Sequence, residues 1–348
     1  MEKQYQVLAR KYRPLTFSEL VGQDALVRTL ENQIKLNKIH HAFILTGIRG
    51  IGKTTTARII AKALNCSANS HPTITPCLEC EHCKAIANSN DPDVIEFDAA
   101  SNTGVEDARK IIDSTQYAPI SSRYKIFIID EVHMLSKSAF NALLKTLEEP
   151  PPYIKFIFAT TEIKKVPVTI LSRCQKFNLR RLNFDETKNF IKGLCSKENF
   201  EIEDGASDIL ANFAEGSARD ATSLLDRALS YNEYKTLLTE YAVSNLLGLS
   251  GKKAIYDLFS LLLEGKTNEV LEQFEQIYTD NVDANTILQE LLEVNYNIIL
   301  AKNLTKFFEI TKIPSDQLDI INKPVPPILK GMLYLFVMNC GTKHTTHK

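Results

Sequence analysis

Gly47-Ile48-Arg49-Gly50-Ile51-Gly52-Lys53-Thr54 matches the pattern G-x-x-x-x-G-K-T, and its surroundings decide how the first half of the chain folds. A short apolar run, residues 43–46, leads into the glycines, and residues 55–64 carry a helical pattern behind them. A strand, a glycine loop and a helix in that order turn backbone N–H groups toward phosphate oxygens. The helix N-terminus adds positive potential at the same place. Lys53 is expected to reach the β- and γ-phosphates of ATP, and Thr54 to ligate Mg²⁺. The cradle is read as Gly47, Ile48, Arg49, Gly50, Ile51, Gly52, Lys53, Thr54 and Thr55.

Strand-length apolar runs recur at residues 42–47, 94–98, 125–130, 155–161 and 176–179, with helical patterns between them. In residues 136–149, Ala139, Phe140, Leu143, Leu144 and Leu147 share one helical face. Ser136 suits the N-cap, and the prolines at 150–152 stop the helix. Strands alternating with helices predict an α/β domain, a parallel sheet with helices on both faces. After about Arg181 the strand signals disappear. Residues 183–231 read as three short helices, and a helical pattern with longer spacing follows from about Leu237. Domain boundaries are placed near 180 and 242. Prolines at 324–327 interrupt the last pattern, and residues 338–348 are polar and aperiodic.

The 348 residues suit two or three domains. With 41 basic and 42 acidic side chains the net charge is −1, so a protein that wraps nucleic acid by itself is excluded. Any DNA contact is expected to be local or shared with partners. The first residues carry no apolar stretch of signal-peptide length, and no run of 18 apolar residues occurs. A cytoplasmic location without membrane attachment is expected. Cysteines there are reduced thiols or metal ligands.

Residues 126–131, Ile-Phe-Ile-Ile-Asp130-Glu131, end a buried strand on two carboxylates, at the sheet edge where ligands bind in such folds. Asp130 is expected to support Mg²⁺, directly or through water, and Glu131 to orient the attacking water. Thr160 and Thr161 close the next strand, and either hydroxyl suits a γ-phosphate sensor. Arg173 and Arg219 are candidate cations for the transition state. Four of the seven cysteines lie close together, Cys66, Cys77, Cys80 and Cys83. Four thiolates in a compact loop suit tetrahedral Zn²⁺ with no open position. His71 and His82 are possible substitutes for one ligand. Cys174, Cys195 and Cys340 stand apart.

Assembled, these residues resemble the bacterial gamma/tau clamp-loader family over about residues 4–325. The segments that carry the resemblance are YQVLARKYRP from Tyr5, FSELVGQ from Phe17, the phosphate loop, the four cysteines and DAASNTGVEDAR from Asp98. QYAP, IIDEVHMLSKSAFNALLKTLEEPP, FIFATTE, VPVTILSRCQKF and EGSARDA follow in order. The resemblance implies an AAA+ ATPase domain over 1–180 with a zinc-binding insertion at 66–83. It implies a helical lid over 181–242 and a helical collar over 243–348 that builds an open five-membered ring. Arg13, Pro14, Val21 and Gly22 look like the segments that hold the adenosine end. Thr161 looks like the γ-phosphate sensor and Arg219 like the lid arginine that senses nucleotide within its own subunit. Ser172-Arg173-Cys174 looks like the motif that lends Arg173 to the neighbouring subunit's ATP. The implied partners are delta-type and delta-prime-type subunits, a sliding clamp and primed DNA, and no polymerase site is implied in this chain. A non-hydrolysing scaffold subunit would lack an intact phosphate loop, and a ring helicase would lack the cysteine insertion and the Ser-Arg-Cys motif. Beyond Val325 the resemblance ceases, so a shortened collar is expected.

Overall fold

In the computed structural model residues 6–303 are described, apart from 102–103, 233–235, 248 and 280–283. They divide into two units between Val243 and Ser244. The prolines at 324–327, the polar tail and Cys340 lie outside the described residues.

The first unit opens with α1 (Leu8–Lys11) and α2 (Asp24–Lys35). There follow β1 (Ala42–Thr46), α3 (Lys53–Asn65), α4 (Glu81–Ala87), β2 (Val94–Asp98), α5 (Val105–Thr115) and β3 (Lys125–Asp130). Then come α6 (Lys137–Glu148), β4 (Ile154–Thr160), α7 (Val168–Leu171) and β5 (Gln175–Asn178). The five strands form one sheet in the order β2-β3-β4-β1-β5, and each pairing is parallel. Strand ends fall within a residue or two of the expected ones, and the α/β architecture is as expected.

The sheet is covered on both faces because its three central strands, β3, β4 and β1, are buried at consecutive positions rather than alternate ones. Phe43 and Leu45 of β1 enter a core with Leu26 and Leu30 of α2 and Ile59, Ile60 and Leu64 of α3. Ala42 and Ile44, one position out of phase, enter a second core with Phe140, Leu143 and Leu147 of α6. The same split separates Ile126 and Ile128 from Phe127 and Ile129 in β3. Ser136 caps α6 as expected, its hydroxyl accepting from the Ala139 N–H at 3.2 Å.

Three helices complete the unit: α8 (Phe184–Lys197), α9 (Asp204–Phe213) and α10 (Ala218–Tyr231). A capping box opens α8. The Asn183 side chain accepts from the Glu186 N–H at 2.7 Å, and Glu186 accepts from the Asn183 N–H at 2.9 Å. Glu186 also takes both Arg180 Nη groups, at 2.6 and 2.7 Å. The Arg180 pair and the cap hold its carboxyl down at about 2. One expectation is corrected here, since strands do not stop at Arg181. β6 (Glu201–Ile202) pairs in parallel with β7 (Leu237–Leu238). Two-residue strands carry no readable period, so the pattern missed them.

α11 (Glu240–Leu246) spans the division between the units. The second unit contains α12 (Leu249–Glu264), α13 (Thr267–Thr279) and α14 (Ala284–Asn303). Tyr256, Phe259, Ile277, Ile287 and Ile298 share one buried cluster there. Among the described residues no helix is long and apolar enough to cross a membrane.

Candidate functional site

β1 ends at Thr46, and the chain turns at once through three glycines with positive φ, Gly47, Gly50 and Gly52. Gly50 admits no side chain. Its φ is +78°, and a Cβ would sit 2.2 Å from Ser217 Oγ and 3.1 Å from Arg219 Cβ. That close approach lets the Arg219 N–H donate to the Gly50 carbonyl at 3.1 Å, joining the start of α10 to the loop. Lys53 opens α3, is 6% exposed, and donates through Nζ to the carbonyls of Gly47 (3.1 Å) and Ile48 (3.0 Å). Burial draws its pKa down, while Glu131 and Asp130 oppose that.

A cavity of about 440 Å³ opens beside this loop, within the range of small-ligand sites. The loop contributes Arg49, Gly50, Gly52, Lys53, Thr54 and Thr55. The N-terminal segment contributes Arg10, Tyr12, Arg13 and Pro14, and the helices after β5 add Phe190, Arg219 and Thr222. Five cations, Arg10, Arg13, Arg49, Lys53 and Arg219, face two carboxylates, Asp130 and Glu131. The excess of positive charge suits a polyphosphate. Arg13 is fixed by a bond from Nε to Thr55 Oγ1 at 3.0 Å. Its pKa is lowered by burial, with the nearby charge of Arg58 adding to that.

The two carboxylates at the end of β3 behave differently. Asp130 accepts from Thr54 Oγ1 at 2.5 Å on one oxygen and from the Glu131 N–H at 2.9 Å on the other. Thr54 and Asp130 therefore meet at the point where the motif requires a shared Mg²⁺. Glu131 has φ 45° and ψ 45°, a left-handed conformation unusual for a side chain of its size. Its carboxylate accepts from the Thr161 N–H at 3.2 Å and from Thr161 Oγ1 at 3.0 Å. Thr160 is wholly buried, and its hydroxyl lies 3.0 Å from His133 Nδ1. The same ring stands 3.4 Å from Glu131 and 3.4 Å from Glu162. The geometry thus separates the two threonines, since Thr161 reaches Glu131 and Thr160 the ring behind it.

Not every expected residue lines the cavity. Among the described residues, Gly47, Ile48 and Ile51 form the loop's frame instead, and Ile51 is buried in the core. Val21 is 40% exposed and Gly22 lies against the Arg180 guanidinium, and neither lines the cavity. Arg173 also stands outside it, paired with Glu148 at 2.6 Å. The residues that sequence reasoning missed are Arg10, Tyr12, Phe190 and Thr222. The first two lie inside the quoted YQVLARKYRP segment, Arg10 three residues before Arg13 and Tyr12 immediately before it. Phe190 and Thr222 sit in ordinary amphipathic helices, and nothing in their spacing marks them.

The sulfurs of Cys66, Cys77, Cys80 and Cys83 lie within 4.8 Å of one another. A tetrahedral Zn²⁺ with bonds of about 2.3 Å needs sulfurs about 3.8 Å apart, so the cluster fits with a small contraction. Backbone N–H groups already point at three of the sulfurs. Cys77 donates to Cys66 (3.4 Å), Cys80 to Cys77 (3.3 Å) and Cys83 to Cys80 (3.4 Å). Neither histidine belongs to the cluster. His82 instead bonds Asp91 at 2.9 Å and Ser122 at 3.0 Å. Arg123 clasps the module from outside through the carbonyls of Leu64, Cys66 and Asn69. Cys174 and Cys195 are buried elsewhere.

A five-stranded parallel sheet, a glycine loop capping α3, paired acids at the end of β3 and a helical segment closing the cavity define a P-loop ATPase of the AAA+ class. The solved structure of Thermotoga maritima RuvB, a Holliday junction branch migration motor, shares this fold with a TM-score of 0.52. That likeness covers 74% of this chain and 80% of RuvB at 20% identity. Sequence comparison narrows the class. Residues 22–183 match the model for DNA polymerase III, delta subunit. Residues 188–233 match that for the DNA polymerase III clamp loader subunit, ATPase lid domain, and 238–323 that for DNA polymerase III subunits gamma and tau domain III. DNA polymerase III subunit gamma of Buchnera aphidicola subsp. Schizaphis graminum is 41% identical, over 91% of this chain and 86% of its own length. The tau/gamma subunit of Haemophilus influenzae is 45% identical and the tau subunit of Escherichia coli 42%, each over 86% of this chain. The chain belongs to the gamma/tau family of DNA polymerase III subunits. It spans about half the length of the two tau-type relatives, 43% and 46%.

Proposed function

We propose that this chain is the ATP-hydrolysing motor subunit of a clamp loader, driving a sliding clamp onto primed DNA during replication. The observation that carries the reading is the convergence of Lys53, Thr54, Asp130, Glu131 and Arg219 on one cationic cavity. A scaffold subunit that does not hydrolyse ATP has no use for that set. Lys53 and the loop amides hold the phosphates, and Arg13 and Pro14 stand at the adenosine end. Thr54 and Asp130 would hold Mg²⁺, which would supply charge neutralisation to the phosphates. Glu131 orients the attacking water, Thr161 reports the γ-phosphate to it, and Arg219 carries that signal to the lid. Arg173, outside its own cavity, serves the neighbouring subunit's ATP. Val21 and Gly22 stay in the reading as part of the segments that hold the adenosine end.

The ATPase domain is assigned to 1–180, the lid to 181–242 and the collar to 243–348. Cys66, Cys77, Cys80 and Cys83 hold a structural Zn²⁺. The partners are delta-type and delta-prime-type subunits in a five-membered ring, a sliding clamp and primed DNA, in the cytoplasm. Reconstitution with those partners tests the reading. ATP turnover should rise with clamp and primed DNA together, clamp should transfer to DNA without strand unwinding, and Lys53→Ala in every copy should abolish transfer. Undiminished transfer by the Lys53 variant, or unwinding by the parent, refutes it.

A further inference from the structure

Arg173 is held in place within its own chain. Nη2 donates to Glu148 Oε1 at 2.6 Å, and Nη1 to the Thr169 carbonyl at 2.7 Å and to Ser172 Oγ at 3.3 Å. Three of the five N–H donors of a guanidinium are used, and two are left for a phosphate. Thr169 and Ser172 belong to the turn that carries Arg173 and move with it. Glu148 does not, because it is the last residue of α6, a separate element packed against the sheet through Phe140, Leu143 and Leu147. Stability does not explain the pair. The side chains are 33% and 49% exposed, and ion pairs at such exposure contribute little.

We propose that Glu148 is a positioning residue for Arg173, fixing the guanidinium before the γ-phosphate of a nucleotide on the adjacent subunit reaches it. The inference rests on the reading of Arg173 as a group that acts in trans. A free arginine loses most of its rotamer freedom when it engages a phosphate, and that loss falls on the transition state. An arginine clasped from the end of a separate helix has lost part of that freedom already. Glu148 therefore influences a site in which it has no contact, and it acts only through Arg173.

Mixed assemblies test this directly. Provider copies carry Lys53→Ala, so their own sites are silent, together with Glu148→Ala, Glu148→Gln, Arg173→Ala or the double change. Acceptor copies keep every native residue, and co-elution verifies assembly. Turnover is read with clamp and primed DNA present. Glu148→Ala in the provider should lower acceptor kcat about three- to tenfold, the cost of one unrestrained side chain, with little change in KM. Glu148→Gln keeps an acceptor oxygen and should recover most of the loss. In a provider already carrying Arg173→Ala, adding Glu148→Ala should cost nothing more. Parental or raised kcat with Glu148→Ala overturns the proposal, and so does a further loss in the Arg173→Ala background. If Arg173→Ala alone leaves acceptor kcat at the parental value, the trans role itself fails and this proposal with it.

Discussion

Glu131 occupies a conformation that costs a side chain of its kind about 1–3 kcal/mol, and its neighbours hold it there. Thr161 supplies two hydrogen bonds to the carboxylate and the buried His133 ring closes the other side. Such strain is found where a group must be aimed. Glu131→Gln keeps the shape and removes the charge that polarises water. It should bind ATP as the parent does while turnover falls about 10²–10⁴-fold. Equilibrium binding of a fluorescent nucleotide beside steady-state hydrolysis checks this, and parental turnover would remove Glu131 from its role. The acid itself was legible in the sequence, because a strand ending in two carboxylates is a local pattern. His133 was not. Its ring reaches Glu131, Thr160 and Glu162 only because the turn at 132–134 folds back beneath β4. The choice between Thr160 and Thr161 was open for a similar reason. Adjacent residues of a strand point to opposite sides, and spacing alone does not say which side faces the acid.

At the scale of the element, the segment between α3 and α4 has almost no regular structure and few buried apolar groups. Its shape rests on four sulfurs, three N–H···S contacts and the Arg123 clasp. Metal binding to such a set contributes on the order of 10 kcal/mol in small zinc modules. Elemental analysis should therefore find one Zn²⁺ per chain. A chelator should raise amide hydrogen exchange across residues 66–83 while β1, β3 and β4 keep their protection. Metal-free protein with a protected loop would contradict the site. The cysteines could be read from spacing, since the motif is contiguous. The histidines could not be excluded that way, because His82 is committed by Asp91 and Ser122, nine and forty residues away. β6 and β7 were illegible because each is two residues long and exists only through its partner.

For the whole molecule, Arg173 stands outside the chain's own cavity, so an isolated chain should hydrolyse ATP slowly. An arginine supplied in trans raises rates about 10³–10⁵-fold in other phosphoryl-transfer systems. Turnover per chain should accordingly climb with subunit concentration and with added partners. Equal turnover in the isolated chain and the full assembly would remove the need for a donated cation. The architecture was readable because β1, β3 and β4 each report their own double burial, whereas the cavity's N-terminal and helical walls are brought together only by the finished fold. The strand order β2-β3-β4-β1-β5 has one more consequence, for the timing of biosynthesis. β1 leaves the ribosome first among the strands, yet its sheet neighbours are β4 and β5. β4 begins roughly 110 positions after β1 ends. At about 5–20 residues per second, the strand that launches the phosphate loop waits some 5–20 s with both edges unpaired. The loop's sequence is thus made well before the strands beside it and the later cavity wall at Phe190, Arg219 and Thr222 exist to complete the pocket.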